Sequence, residues 1–489
     1  MHIGRVCYLL GMIILVVGGF MFLPLFCALI YGESDAGAFL RSIPIALAIG
    51  GGLLGGFRRC RNQQLRLRES FLFVTGSWLL ASLVGALPYL FAGSFGDLAS
   101  AVFETASGFT TTGSTAMPDI EIMPHGILLW RSLTHWLGGA GIVLLFVALL
   151  QGKHDQSGGE GVSVFKAEYA GGLLAERVAP RIEDNARAIF AVYLCLTAAC
   201  ILALLLAGMN FFDAVNHAFS TVSTGGFSTK NLSIGAYHNP AIEWVTALFL
   251  FLSSINFALF YLFFFRRRRK YALGNPELRC FFWVVAVAVM IITLANWRAY
   301  PDAGLMYNLR HAAFQAVAII STGGFTSANF ELWPDLSRFV LFTLLFIGGC
   351  SGSTAGSIKI NRWYVAAKAT RMELFGVFRP SMIRRVYYNR RAVSETLARQ
   401  MTHYLFLYII CVFIGGFLLT LCGMDWLEAF AGALASIGNV GPAIGSLGPA
   451  GTYAAVPAAG KYLLSFMMII GRLEIYTVLV LFMPEIWRK

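Results

Sequence analysis

Four glycine-bearing turns hold the residue types that could do chemistry in this chain: FTTTGST around Gly113, TVSTGGFST around Gly225, ISTGGFTS around Gly323 and IGNVGPAIG around Gly441. Two of them share the pentapeptide STGGF, at 223–227 and 321–325. No acid, base or thiol recurs in them. What recurs is small, polar backbone with glycine, which adopts φ > 0 without steric penalty and so lets successive carbonyls aim at one axis. Four such turns around an axis would form a ring of carbonyls able to replace water around a dehydrated cation. The competing explanation is close helix packing through small residues. That suits any single one of the 51 glycines, but not four at matched places, about 98 to 118 residues apart, each after an amphipathic half-length segment.

The elements that must hold these turns are membrane spans. The 489 residues are 57% hydrophobic and 13% charged, with mean hydropathy +0.69, and apolar runs of roughly 20 residues recur, the length needed to cross a bilayer. The run from Tyr8 to about Tyr31 follows the basic start MHIGR. It is too long for a signal peptide and has no A-x-A-like cleavage site, so it is read as a retained first span. A shorter span follows at about 42–57. From there one pattern repeats four times: a full span, a half-length segment, a glycine turn and a second full span. The half-segments are LASAVFETASG, FFDAVNHAFS, YNLRHAAFQAVAI and WLEAFAGALAS.

The expected fold class is therefore an all-α polytopic membrane protein, with two N-terminal spans and four pseudo-symmetric helix–pore loop–helix repeats around one ion pore. The expected divisions are a two-span extension at 1–69, repeats at 70–152, 186–270, 271–378 and 379–489, and a polar connection at 153–185. This gives ten crossings and four half-helices.

The net charge of +12 is clustered at Arg58 to Arg68, Arg266 to Lys270 and Arg379 to Arg391. The connections between these clusters, such as MPDIEIMPH and FELWPDLS, are acidic or neutral. Basic juxtamembrane loops face the cytoplasm, which places every repeat's start and end, and both termini, on that side. This position accounts for the basic runs without nucleic acid. The nine cysteines form no C-x-x-C pair, so neither a disulfide framework nor a zinc site is indicated. His217 and His311 precede two of the turns but lack metal-ligand spacing.

The four turns in order, with two extra N-terminal spans, resemble the TrkH subunits within the TrkH/KtrB/HKT superfamily of potassium transporters, over essentially the whole chain. The resemblance implies a homodimer with one pore per subunit. It implies filter carbonyls from Thr111, Thr112 and Gly113; Ser223, Thr224 and Gly225; Ser321, Thr322 and Gly323; and Asn439, Val440 and Gly441. Glycine at 113, where sodium-preferring relatives carry serine, favours potassium. The fourth turn departs from the usual Gly-Pro-Gly, reading Gly441-Pro442-Ala443, which leaves the geometry of that side open.

In the third repeat the second span is interrupted by Gly349, Cys350, Ser351, Gly352, Ser353, Thr354, Ala355, Gly356 and Ser357. Such a stretch does not suit a straight helix in lipid, but it fits an irregular loop in a wet vestibule. The resembling family has a gating loop here; the alternative is a glycine-hinged kink. Arg472 lies deep in the last span, where a charge is expensive and faces a partner or an aqueous path. It pairs with Glu474 or another helix, or it stands beside the pore and holds the gate loop by its carbonyls. Arg131 and His135, one turn apart, are read as structural groups bonding pore-loop carbonyls.

No cofactor is expected on the chain, and potassium is the substrate. The glycine runs do not follow a strand and open a helix, so no nucleotide-binding fingerprint is present. The resemblance implies a cytosolic TrkA-like ring that binds the nucleotide, NAD or ATP/ADP. The basic clusters and the 153–185 connection offer contacts to that ring or to anionic lipids. Two other classes are weighed. A proton- or sodium-coupled secondary transporter would need intramembrane carboxylates on the path, chiefly Glu104 and Glu474. A membrane enzyme would need paired catalytic motifs, which the sequence lacks. The expected place is the bacterial inner membrane.

Overall fold

The computed structural model describes residues 2–63, 65–141, 182–379, 385–389 and 391–488. Most of the polar 153–185 connection, and the end of the first repeat, lie outside the described residues.

The chain opens with α1 (Ile3–Phe20) and α2 (Phe22–Tyr31), which together form one apolar stretch, and returns through α3 (Ala36–Gly56). The second span thus begins earlier than the sequence pattern placed it. Round 1 follows with α4 (Leu67–Gly85), the half-helix α5 (Leu98–Phe109) and α6 (His125–Gly139). Round 2 comprises α7 (Ile182–Leu206), the half-helix α8 (Phe211–Val222), α9 (Pro240–Ser253) and α10 (Phe257–Phe264). Round 3 comprises α11 (Pro276–Ala299), the half-helix α12 (Leu305–Ile320), α13 (Asp335–Leu344) and α14 (Ile360–Phe378). Round 4 comprises α15 (Glu395–Leu421), the half-helix α16 (Trp426–Gly438), α17 (Ala458–Arg472) and α18 (Ile475–Leu479). A small antiparallel hairpin, β1 (Val386–Tyr388) with β2 (Arg391–Val393), lies in the basic connection before round 4.

The half-helices are 12, 12, 16 and 13 residues long, about 18–24 Å at 1.5 Å per residue, too short to cross. Asp97, Asn210 and Asp425 cap three of them by accepting from backbone N–H groups. Each of α5, α8 and α12 packs on the second helix of the preceding round, with round 1 following round 4, and α15 packs on α14 of round 3, so the rounds close into a ring.

Burial runs opposite to that of a water-soluble fold. Phe413, Phe417 and Leu421 on α15 are exposed, while Glu104, Thr105, Asn216, His217 and Gln315 on the half-helices are buried. A lipid-facing surface accepts phenylalanine without penalty, and polar groups survive only where other protein groups bond them.

Among the described residues, six segments are long and apolar enough to cross a membrane, and α9 with α10 and α17 with α18 would add two more as bent pairs. These bends correct the sequence reading, which found an interruption in round 3 only. Round 2 bends by 94° and round 4 by 115°. The causes are local. In round 2 Asn256 starts a new helix by accepting from the Ala258 N–H at 2.9 Å. In round 4 Glu474 takes a left-handed φ of 65° and ends α17.

Candidate functional site

At the end of each half-helix the chain makes the same turn. Thr111, Thr224, Thr322 and Asn439 have φ of 54°, 57°, 57° and 52°. Each donates its N–H to the carbonyl three residues back: Gly108, Thr221, Ile319 and Ser436, at 3.1, 3.0, 2.9 and 3.1 Å. The following residue donates to the carbonyl five back, Thr112 to Ser107, Gly225 to Ser220, Gly323 to Ala318 and Val440 to Ala435, at 2.9, 2.8, 2.8 and 3.0 Å. This is a Schellman-type ending, in which glycine or asparagine ordinarily occupies the left-handed place. Here threonine occupies it in three turns, at a cost of about 1–2 kcal/mol each. Such strain persists only where surrounding structure enforces it.

This shared geometry sets the register, and it differs from the sequence alignment. The second glycine-type position, with φ of 84°, 90°, 60° and 94°, is Gly113, Gly226, Gly324 and Gly441. Gly225 and Gly323, which the shared STGGF spelling aligned with Gly113, instead match Thr112 and Val440. Ser223 and Ser321 correspondingly match Thr110. Contacts between loops agree. A Cβ on Gly113 would lie 2.0 Å from the Gly225 oxygen, on Gly226 2.5 Å from Gly323, on Gly324 2.4 Å from Val440, and on Gly441 2.6 Å from Thr112. The four glycines thus form a head-to-tail ring in which each backbone abuts the carbonyl of the next loop.

Buried side chains brace the ring. Arg131 Nε donates to Glu104 Oε1 at 2.6 Å and its Nη1 donates to the Ser228 carbonyl at 2.8 Å, tying loop 1 to loop 2. Glu104 also accepts from the Ala116 N–H at 2.8 Å and the Thr115 hydroxyl at 3.0 Å. His135 Nδ1 lies 2.9 Å from Ser220 Oγ, and its ring stacks on Phe227. The structural role expected of Arg131 and His135 therefore holds, with one carbonyl bond to a pore loop, from Arg131. His217 and His311 pair with Ser228 and Ser327, each at 2.9 Å.

The sequence reading missed a regularity here. Glu104, His217 and Gln315 each stand seven residues before the left-handed residue and bond the chain just beyond the turn, at Thr115, Ser228 and the Phe325 carbonyl. The signal was present as a polar residue at one fixed offset. In round 4 that place is Gly432, and Tyr453 donates to the Gly441 carbonyl instead, at 3.0 Å. At the N-terminal end of α5, its hydrogen bond with Ser100 holds the Asp97 carboxyl below the usual range. Among the described residues no His, Cys, Asp and Glu cluster could hold a metal.

The interrupted stretch of round 3 packs against rounds 2 and 4 and against the turn of its own round. Its two ends are held together by a backbone bond from Gly348 N–H to the Ile358 carbonyl, 2.8 Å, and by the Ser357 hydroxyl donating to the Leu345 carbonyl, 2.8 Å. Cys350 N–H donates to the Ser254 carbonyl and Phe257 N–H to that of Gly352, at 2.8 and 3.0 Å, so the loop sits in the bend of round 2. Thr354 Oγ1 donates to Val222, the last residue of α8, at 3.1 Å. Gly356 N–H donates to Thr322 Oγ1 at 2.6 Å, a direct bond between this loop and a left-handed turn residue. From round 4, Arg472 Nη1 donates to the Thr354 carbonyl at 2.7 Å and Nη2 to the Gly138 carbonyl of round 1 at 2.8 Å.

Both readings of Arg472 are met in part: it bonds a carbonyl of the loop and one of another helix, α6. Glu474 pairs with Arg362, whose guanidinium lies 3.8 Å from the Tyr404 ring centre. Lys359, absent from the sequence-based set, donates its Nζ to the Ala355 carbonyl. A cavity of about 90 Å³ under the ring is lined by this loop with Gly139, Lys359, Tyr404, Arg472 and Glu474.

The comparisons with known proteins come to the same architecture. A family model described as "Cation transport protein", TrkH, matches residues 36–489. The chain belongs to the TrkH family. It is 35% identical over 490 residues to the Trk system potassium uptake protein TrkH of Salmonella typhimurium, covering 100% of both. It is 34% identical over the same length to TrkH of Escherichia coli K12. The crystal structure of the potassium transporter TrkH from Vibrio parahaemolyticus superposes with a TM-score of 0.91 at 30% identity, covering 100% of both chains. The TrkH fold, an all-α multi-pass membrane protein, is thus shared end to end.

Proposed function

We propose that the chain is the ion-conducting subunit of a bacterial potassium uptake system in the cytoplasmic membrane. The observation that carries this reading is the ring of four equivalent turns, each abutting the next backbone to backbone. Its filter carbonyls come from Thr111, Thr112 and Gly113, from Thr224, Gly225 and Gly226, from Thr322, Gly323 and Gly324, and from Asn439, Val440 and Gly441, with Ser223 and Ser321 one step earlier. These carbonyls stand in for the hydration shell of a potassium ion. The four half-helices end at the ring, and their partly negative C-termini favour a cation there. Residues 349–357 are the gate, held closed by Arg472, whose fixed charge also repels cations in the narrow cavity beneath.

The organisation follows from this reading: an extension at 1–69, repeats at 70–152, 186–270, 271–378 and 379–489, and a connection at 153–185. Both termini are cytoplasmic, two chains form a homodimer, and a TrkA-like cytosolic ring that binds nucleotide acts on the basic face. No enzymatic step is involved. Ion coupling through Glu104 or Glu474 is disfavoured, because each carboxylate is engaged by a buried arginine.

The deciding experiment is flux of potassium and of sodium through purified protein in liposomes, with and without the cytosolic partner. Potassium flux that exceeds sodium flux and rises with the partner supports the reading. Flux that follows a pH gradient at fixed voltage replaces it with coupled transport.

A further inference from the structure

A groove of about 840 Å³ opens on the apolar outer surface of round 3, between α11 and α13. It exists because α13 stops at Leu344 and the chain turns inward towards residues 349–357, leaving the basic-end half of α11 without that neighbour. Trp283 and Ile291 of α11 line one wall, and Leu344 and Ile347 line the other. From Arg279 to Ile291 the groove follows about 18 Å of helix, twelve residues at 1.5 Å. That matches one leaflet of a hydrocarbon core about 30 Å thick.

Charge marks one end of it. Arg279 is the one charged residue among those lining the groove, and it is exposed at the basic end. The exposed run Arg266 to Lys270 lies just before Gly274, another lining residue. Glu277, two residues before Arg279, is turned inward, where it accepts from the Ser351 N–H at 2.6 Å and from the Tyr388 hydroxyl at 3.1 Å. Among the described residues lining the groove, no carboxylate opposes an anion at the mouth.

We propose that this groove binds one phospholipid with a net negative headgroup, from the leaflet on the basic side. Its phosphate meets Arg279 and the preceding basic run, and an acyl chain lies along Trp283 and against Leu344 and Ile347. Those last two residues lead directly into the loop at 349–357. The charge at one end and the one-leaflet length select an anionic lipid over a neutral one and over a second copy of the chain.

The test reconstitutes the full chain into vesicles containing brominated phosphatidylglycerol or brominated phosphatidylcholine at equal mole fraction, and reads tryptophan quenching. Trp283 is isolated by difference from Trp283→Phe. The expected result is about fivefold stronger association of the anionic lipid at Trp283, falling to no preference in Arg279→Gln, a surface change that leaves the fold intact. Equal quenching by both lipids overturns the proposal, because it means ordinary lipid solvation. Absence of quenching by either, with Cys280 cross-linking between copies, also overturns it and makes the groove a protein interface. No ion flux enters this measurement, so the lipid site stands or falls separately from the conduction reading.

Discussion

The ring of turns and the loop beneath it solve opposite problems within about one helical turn of each other. The ring is fourfold: a left-handed residue at the same place, the same pair of backbone bonds and the same glycine contact recur in all four rounds. The loop is single. Round 3 supplies it, and the other rounds hold it with a few separate bonds, from Arg472 to Thr354, from Thr354 to Val222 and from Cys350 to Ser254. A selecting element needs one geometry, and closed backbone packing leaves it no alternative. On the proposed function, a gate needs two states separated by a few kcal/mol, and a loop held by a handful of bonds would supply that.

The sharpest way to break the comparison is to remove a brace of the ring. Arg131→Leu leaves Glu104 charged and buried, which costs about 3–5 kcal/mol. Thermal unfolding in detergent should fall by many degrees, with no rise in flux first. An Arg131→Leu protein of unchanged stability would mean that the ring does not depend on its braces.

Next comes the ring itself. Gly113→Ser places a Cβ against the Gly225 oxygen, so that carbonyl, part of the proposed filter, must shift. Discrimination of potassium over sodium should fall about tenfold, equivalent to about 1.4 kcal/mol, in a liposome flux assay. Unchanged ion preference would remove loop 1 from the filter.

The loop should respond differently. Arg472→Ala deletes two charge-assisted bonds, of about 1.5–3 kcal/mol each. Flux without the partner should rise about tenfold while ion preference stays near that of the parent. A fall in flux at normal expression and folding would refute the latch.

The smallest and most discriminating change is at the contact between the two regions. Thr322→Val removes the acceptor of the Gly356 N–H but keeps the side-chain shape, and should raise resting flux about threefold, while Thr322→Ser should not. If Thr322→Val altered selectivity as strongly as Gly113→Ser does, filter and gate would be one unit rather than two.

Much of this was legible in the sequence because its cause is local. Glycine-bearing turns after amphipathic half-segments, and nine small or polar residues in an apolar span, reflect what backbone can do in lipid. The bond from Arg472 to a loop carbonyl was one of two readings that the cost of a buried charge allowed. The bends of rounds 2 and 4 escaped notice because few residues encode them: Ser253 to Asn256 in one, Arg472 to Glu474 in the other. The register slipped by one because identical letters aligned the first glycine of STGGF with Gly113, whereas hydrogen bonding aligns the second.

By itself, then, the sequence determined the class of the fold, the fourfold repetition and the places where helix must fail, because hydropathy and glycine content act residue by residue. Only the tertiary structure decided which glycine faces which carbonyl, that Glu474 belongs to Arg362 and not to Arg472, and that the loop of round 3 is fastened by rounds 2 and 4. Those facts depend on distances between segments that lie far apart in the chain, and no local preference encodes them.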